Sequence, residues 1–545
     1  MILTRAEKKQ LVKLSLLDII TSILDIIFLV GLLYVINFYT QANHTMPSFF
    51  FPALFDKNPL LLISIFFMLF AIKNLIGFLV SKMQYNYVYN VAARISKDNL
   101  LHYLNSSYED YVQVDSSVNM YRISQQPIEF CHYVLSGIQQ VFSQVILILL
   151  TVIAILSYNP FLFPLLLIIL IPPVFLIAWF IKKKLAATRL QGKVNSEKAI
   201  QHLQEALAGF VESNIHGKHD FFSNRYQGFQ SRLNHYLAEK LVVQNMPSRL
   251  IEVFAVFGLF MLVVLNTLTV GAHSMQFITL GAFMAAAYKI IPGIVKIMNI
   301  SGQVKSYMYT VTGLLEVKHH PSKKPAGDPV HSISFEDISF SYPGKKILDS
   351  FSMHISKGDF VGIAGFSGKG KTTLANLLLG FLEQESGNIH INGKQCNREE
   401  RQQYWNRISY IKQQPFFLHD TIIQNITLQE ADHNSGKIDQ VVATTGINEL
   451  LANTGMSLNT LITENGKNFS GGQRQRIIFA RALYKDFDLI ILDEPFNELD
   501  EASEIKMLEQ LKVLSNEGKI VILITHNKMA LSFCNKKIEL DAAAA

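Results

Sequence analysis

The sequence predicts a polytopic α-helical membrane domain of six spans followed by an α/β domain built on a phosphate-binding loop. Three observations carry this. Only 17% of the 545 residues are charged and the mean hydropathy is +0.23, unusual for a soluble protein. The N-terminal part holds six apolar stretches, each near the ~20 residues a bilayer needs. The stretch Gly365-Phe366-Ser367-Gly368-Lys369-Gly370-Lys371-Thr372-Thr373 lies between a β-type run, Phe360 to Ala364, and a helical run from Thr373 to Gly380.

The spans are read at about Ser15 to Phe38, Leu60 to Val80, Val134 to Leu156, Pro160 to Ile181, Leu250 to Leu268 and Phe277 to Met298. The first is too long for the apolar core of a signal peptide, and no small-residue cleavage pattern follows it. Lys and Arg concentrate before the first span (Arg5, Lys8, Lys9, Lys13), after the second (Lys82, Arg94, Lys97) and after the fourth (Lys182, Lys183, Lys184, Arg189). The alternate loops are nearly free of them. The positive-inside rule therefore predicts cytoplasmic termini and cytoplasmic long loops. Those loops, about Ser81 to Tyr133 and Lys182 to Pro247, are helical by composition. Their limbs are expected to reach ~25–30 Å past the bilayer, with turns near Tyr111 to Asn119 and Glu212 to Asp220.

Charged residues inside spans are costly and so informative. Asp25 in the first span and Lys73 in the second have matching depths and are expected to pair. Glu252 lies low in the fifth. Lys289 and Lys296 share a face of the sixth, on either side of Pro292-Gly293, and are expected to face the translocation pathway and favour anionic cargo. Cys131, Cys396 and Cys534 form neither a disulfide framework nor a metal pattern. The net charge of +6 is modest and does not suggest nucleic acid.

The domain boundaries read as 1–315 for the membrane domain, 316–332 for a polar, proline-containing linker, and 333–541 for the α/β domain, with 542–545 as a tail outside the fold. In the α/β domain, glycines let several backbone N–H groups converge at the phosphate loop, and the following helix N-terminus adds partial positive charge. Lys371 supplies a full charge for outer phosphates and Thr372 a hydroxyl for Mg²⁺. Further motifs follow in order: Ile338 to Pro343, with the ring of Tyr342; Tyr410 to Pro415, with Gln413; Asn468 to Arg476; Asp488 to Glu494, a strand ending in two carboxylates; and Val521 to His526. Paired carboxylates at a strand end beside a phosphate loop suit Mg²⁺ binding and water activation.

On these motifs the whole chain resembles the ATP-binding-cassette exporters, in the half-transporter form with the membrane domain first. The resemblance implies an ATP hydrolase coupled to transport, with ATP and Mg²⁺ as cofactors and a bacterial-type inner (plasma) membrane location. It implies that Tyr342 stacks on adenine and that Gly365, Ser367, Gly368, Gly370, Lys371, Thr372 and Thr373 hold the phosphates. Gln413 touches Mg²⁺ and the attacking water. Asp493 joins Thr372 and Gln413 on Mg²⁺. Glu494 is the general base and His526 contacts the γ-phosphate. Ser470, Gly471, Gly472 and Gln473 cover the nucleotide of a partner subunit. Thr463-Glu464-Asn465-Gly466 resembles the segment that meets the coupling helices, and the two inner turns resemble those helices. Phe469 replaces a usual leucine, Lys412 stands where proline is common, and Pro495 to Glu498 depart from the usual small-residue run. No catalytic position is degenerate, so a homodimer with two competent sites is expected. No peptidase-like stretch precedes the first span, so a built-in leader protease is not expected.

The membrane half looks most similar to bacterial lipid-linked oligosaccharide flippases. The likeness lies in the short N-terminus, the acid in span one with a base in span two, Pro247-Ser248-Arg249 with Glu252, and the bases around Pro292. A lipid-linked oligosaccharide or other amphipathic anionic lipid is the expected cargo. Peptide or drug export is the alternative, and an ATP-gated regulatory membrane protein without cargo is an alternative of another class.

Overall fold

The computed structural model describes residues 2–40, 59–106, 108, 112, 114–158, 192, 194–269, 277–315, 327–366, 368–463 and 466–540. The chain divides into two compact units, Met1–Ser106 with Gln113–His320, and Ser107–Val112 with Pro321–Ala545.

The first unit is helical. Helix α1 (Arg5–Thr40) and α2 (Pro59–Leu104) are followed by a helical run from Ser116 that ends in α3 (Ser136–Tyr158). Then come α4 (His219–Thr269) and α5 (Phe277–Tyr307). Arg5–Leu32, Ile63–Leu104 and Ser116–Ala154 are, among the described residues, helices long and apolar enough to cross a membrane. They carry the first three expected spans. The fifth and sixth fall on α4 and α5, and the fourth lies outside the described residues. Many large apolar side chains in the first half of α2 point outward, with Phe67 70% and Phe78 64% exposed, as lipid-facing positions do.

At 1.5 Å per residue, the 46-residue α2 and the 51-residue α4 are about 69 and 77 Å long, well beyond a ~30 Å hydrocarbon layer. The turn expected near Glu212 to Asp220 is present. A short helix, Phe210–Ile215, ends there, Gly217 takes φ +58°, and α4 begins at His219. Of the other expected turn, residues 111 and 113 lie outside the described set.

Packing in this unit is densest where Leu14, Tyr87, Val88, Val91, Ile95, Phe130 and Cys131 meet. Between Ser116 and α3 the run contains two π-helical turns, Tyr121–Gln125 and Phe130–Leu135. They sit beside a polar cluster. Tyr121 and Tyr309 both donate to Glu129 Oε2, at 2.6 and 2.8 Å, and Lys240 Nζ donates to Tyr307 Oη at 2.8 Å. Tyr307 stacks on Tyr133 with ring centroids 4.0 Å apart. Burial lowers the pKa of Lys240, and both rings lie beneath its ammonium.

Inside the apolar stretches, Lys73 Nζ donates to Asp25 Oδ1, and Lys73 also lies over the Phe70 ring. This is the pairing expected from the cost of each charge alone, about 2.5–3.5 kcal/mol at mid-bilayer on insertion scales.

The second unit is α/β. An antiparallel sheet has the order β2-β1-β4-β5, from β1 (Ser332–Tyr342), β2 (Lys345–Ser356), β4 (Ser386–Ile391) and β5 (Lys394–Gln395). A parallel sheet has the order β6-β7-β8-β3-β9, from β3 (Phe360–Ala364), β6 (Ile408–Ile411), β7 (Leu489–Asp493), β8 (Ile520–Ile524) and β9 (Lys536–Glu539). Strands β7 and β8 are buried at every residue, which explains their unbroken apolar sequences. Alternate residues serve two cores: Leu489 and Ile491 join one apolar cluster, Ile490 and Leu492 the other. In the same unit the Tyr108 ring lies 5.2 Å from that of Phe381. All three cysteines are free and buried.

Candidate functional site

Parallel pairing gathers the motifs at one edge. Ile411 pairs with Leu492, Asp493 with Ile524, and Ile363 with Ile524. The chain leaving β6 carries Gln413, β7 ends at Asp493 before Glu494, β8 leads to His526, and β3 runs into the phosphate loop. The carboxyl edge of a parallel sheet is where such folds bind ligands.

The loop enters helix α6 (Lys371–Leu378) through Gly370, which has φ +92°, and Gly368 has φ +79°. A Cβ on Gly370 would come within 2.4 Å of Ile347 Cγ2, so this position needs glycine for space as well as conformation. Lys371 is buried to 8% exposure, and its Nζ donates to the carbonyls of Gly365 (2.7 Å) and Phe366 (3.2 Å). The protein thus holds the ammonium across the loop. Gly365 has φ +154° and packs against Leu540. Ser367 lies outside the described residues, as do Glu464 and Asn465.

Thr372 Oγ1 donates to Asp493 Oδ2 at 2.7 Å. Asp493 is 2% exposed, and burial raises its pKa above the ordinary carboxylate value, helped by the charge of Glu494 and opposed by the Thr372 bond. Glu494 adopts φ +48°, a conformation costing a non-glycine residue of order 1–3 kcal/mol. Its backbone N–H donates to Ile524 O at 2.9 Å, which fixes the turn. Its Oε2 accepts from Gln413 Nε2 (2.8 Å) and Asn497 Nδ2 (3.2 Å), and His526 Nδ1 is 3.7 Å from Oε1.

A cavity of about 310 Å³ lies here, lined by Tyr342, Lys345, Ile347, Gly368, Gly370, Lys371, Thr372, Thr373, Gln413, Asp493 and Glu494. Of the residues expected to meet adenine, phosphate, metal and water, Tyr342, Gly368, Gly370, Lys371, Thr372, Thr373, Gln413, Asp493 and Glu494 line this one space, whereas Gly365 and His526 do not. Lys345 and Ile347 were missed by sequence reasoning. They follow the Pro343-Gly344 turn, and no motif marks them.

Ser470 to Gln473 do not line this cavity. Ser470 is the N-cap of helix α7 (Gly471–Tyr484): its Oγ accepts from Gln473 N at 3.4 Å, and Gln473 Oε1 accepts from Ser470 N at 2.9 Å. Glu498 crowds Gly471, where a Cβ would come within 2.3 Å of Oε2, and Glu498 pairs with Arg474 at 3.0 Å. Of the proposed cargo residues, Lys296 is exposed on α5, which runs unbroken through Pro292. The side chains of Lys289 and Glu252 lie outside the described residues.

The fold is that of the ABC exporters, a helical membrane region with an α/β nucleotide-binding domain, and an ABC ATPase domain with exporter relatives supports ATP hydrolysis coupled to transport. Residues 348–497 match the family model described as ABC transporter. The chain is 26% identical over 407 residues to the ATP-dependent lipid A-core flippase of Burkholderia thailandensis, a match covering 72% of this chain and 67% of that protein. It is 27% identical over 362 residues to the ATP-dependent lipid A-core flippase of Alkalilimnicola ehrlichii, covering 65% of this chain and 61% of that one. A solved structure described as a bacterial Atm1-family ABC exporter with ATP bound superposes with a TM-score of 0.79. It shares 16% identity and covers 98% of this chain and 94% of that chain. The chain is therefore a multi-pass membrane protein with a cytoplasmic ATPase domain.

Proposed function

We propose that the chain is an ATP-driven flippase that moves an amphipathic lipid, such as a lipid-linked oligosaccharide or another anionic lipid, from the cytoplasmic side outward. It acts as a homodimer in a bacterial-type inner membrane. The membrane domain is 1–315, the linker 316–332 and the cassette 333–541. The observation that carries the ATPase mechanism is the carboxylate of Glu494 beside Asp493 on one cavity wall, oriented by Gln413 and Asn497. The cargo reading is supported by relatives named lipid A-core flippases and by the polar and charged groups within the spans.

Thr372, Asp493 and Gln413 offer a hydroxyl, a carboxylate and an amide oxygen, a hard oxygen set that fits Mg²⁺. Among the described residues no three His, Cys, Asp or Glu side chains form a metal cage, so the remaining ligands would be phosphate oxygens and water. When bound, the ion would neutralise developing phosphate charge. Tyr342, 41% exposed at the cavity rim, stacks on adenine. Lys371 and the backbone of Gly365 to Thr373 hold the phosphates. Glu494 takes the proton of the attacking water, and His526, whose Nδ1 is 3.7 Å from Glu494 Oε1, would contact the γ-phosphate. Ser470, Gly471, Gly472 and Gln473, at the N-terminus of α7, close over the nucleotide held by the second copy.

The test is Glu494→Gln. An amide keeps the shape but cannot accept the proton, so turnover falls by a factor of about 10² or more while ATP binding persists. Phosphate release and nucleotide binding measured on one preparation check both halves. Near-normal release would remove Glu494 from the role.

A further inference from the structure

Within the first unit, α1, α2, α3 and α5 enclose a polar cavity of about 130 Å³, in a part of the chain dominated by apolar side chains. Its walls include Asp18, Gln84, Gln139, Ser143, Gln144 and Lys296. Gln139 is 7% exposed and Ser143 9%. The amide nitrogens of Gln139 and Gln84 are buried and have no hydrogen-bond partner among the described residues. Leaving such a buried donor unmet is costly, so the site favours a group that can accept from it. One ordered water needs only ~10–15 Å³ of such space. The cavity is several times what two amides need for their own hydration, and it has room for several hydroxyl-bearing atoms of a ligand.

The chemistry of the wall narrows the class. Amides, hydroxyls, one carboxylate and one ammonium supply donors and acceptors together. A hydroxyl both donates and accepts, so a hydroxyl-rich group can satisfy all of them at once. A multiply phosphorylated group would meet Lys296 but also the like charge of Asp18. We propose that this cavity binds the hydroxyl-rich headgroup, a sugar or polyol, of a membrane amphipath, with Gln139 and Gln84 as the recognising donors. The inference rests on the reading of the cargo as an amphipathic lipid.

The test uses the full chain in phosphatidylcholine nanodiscs, doped in turn with a monoglucosyl diacylglycerol, the parent diacylglycerol and phosphatidic acid. Lipid adducts are counted by native mass spectrometry, and ATPase is followed in the same discs. The wild type retains the glucosyl lipid about tenfold better than the parent, which corresponds to ~1.4 kcal/mol. Gln139→Leu and Gln84→Leu each lose most of that preference and keep their phosphatidic acid adducts. A variant that loses all adducts is misfolded, and Ser143→Ala then takes its place. A wild type without sugar preference overturns the proposal, as does a preference untouched by these substitutions. If lipids stimulate ATPase without sugar preference, the cavity assignment fails and the lipid reading stands. If the preference holds but no lipid stimulates ATPase, the cavity stands as a lipid site and the cargo reading fails.

Discussion

In the cassette, Thr372 bonds to Asp493 and Gln413 to Glu494, so the polar groups around the cavity are already tied to one another. In the helical unit, Gln84 and Gln139 keep buried amide nitrogens without partners among the described residues, while Asp25 and Lys73, in the same unit, pair. The cassette is ordered by backbone demands. Its glycines take conformations few other residues accept, and its strands end at one edge. The helical unit is ordered by the cost of charge in an apolar setting. A full charge there must be paired, whereas a glutamine can wait for a partner.

The comparison can be broken first at Asp25 and Lys73. If pairing is what makes these charges tolerable, Lys73→Ala strands a carboxylate and destabilises the helical unit by about 3 kcal/mol. The double change Asp25→Asn with Lys73→Met costs less than either single loss. Thermal unfolding in detergent micelles gives the ranking, and additive single effects would show that the pair is not coupled.

The next effect is in the cassette. Lys371 is held by two carbonyls, so Lys371→Ala removes a prepositioned charge without disturbing the apolar core. Charge-assisted hydrogen bonds contribute about 1.5–3 kcal/mol, so ATP affinity falls by roughly one to two orders of magnitude. Equilibrium binding of a fluorescent ATP analogue measures it. Unchanged affinity would mean that the loop backbone alone holds the nucleotide.

The smallest effect is one of pH and concerns Asp493. Its folded pKa lies above the unfolded value, first because it is buried. Such a group stabilises the fold below its unfolded pKa, and that stability is lost as pH rises through the folded pKa. At neutral pH the nucleotide-free cassette therefore bears a cost at this residue. Asp493→Asn removes it, raising the nucleotide-free Tm at pH 7 with a gain that shrinks toward pH 4, and it weakens the stabilisation by ATP with Mg²⁺. A Tm difference independent of pH would contradict the assignment.

This contrast also explains what the sequence could reveal. The phosphate loop, the carboxylate pair and the strand ending before His526 were legible because each needs fixed residue types at fixed spacing. The Asp25–Lys73 pair was legible because charges stand out in apolar runs. Gln84, Gln139 and Ser143 were not, since neutral polar residues are cheap enough on a helix to pass as ordinary. Only packing reveals that two helices, α2 and α3, turn them toward one space. Lys345 was hidden for another reason: its place in the cavity depends on the β1–β2 register, which no motif encodes. The capping box of Ser470 with Gln473 shows one motif serving two ends. It starts a helix within its own chain and, on the proposed reading, closes over the nucleotide of the other.

On the proposed function, ATP hydrolysis at this site drives lipid across the bilayer. The direct measurement is movement of a lipid-linked oligosaccharide between leaflets of proteoliposomes with outward-facing cassettes. Loss of the sugar to an external glycosidase is followed with and without ATP. Wild type is expected to show ATP-dependent protection of the sugar, and Glu494→Gln none. Hydrolysis that proceeds while the sugar stays equally accessible would contradict it.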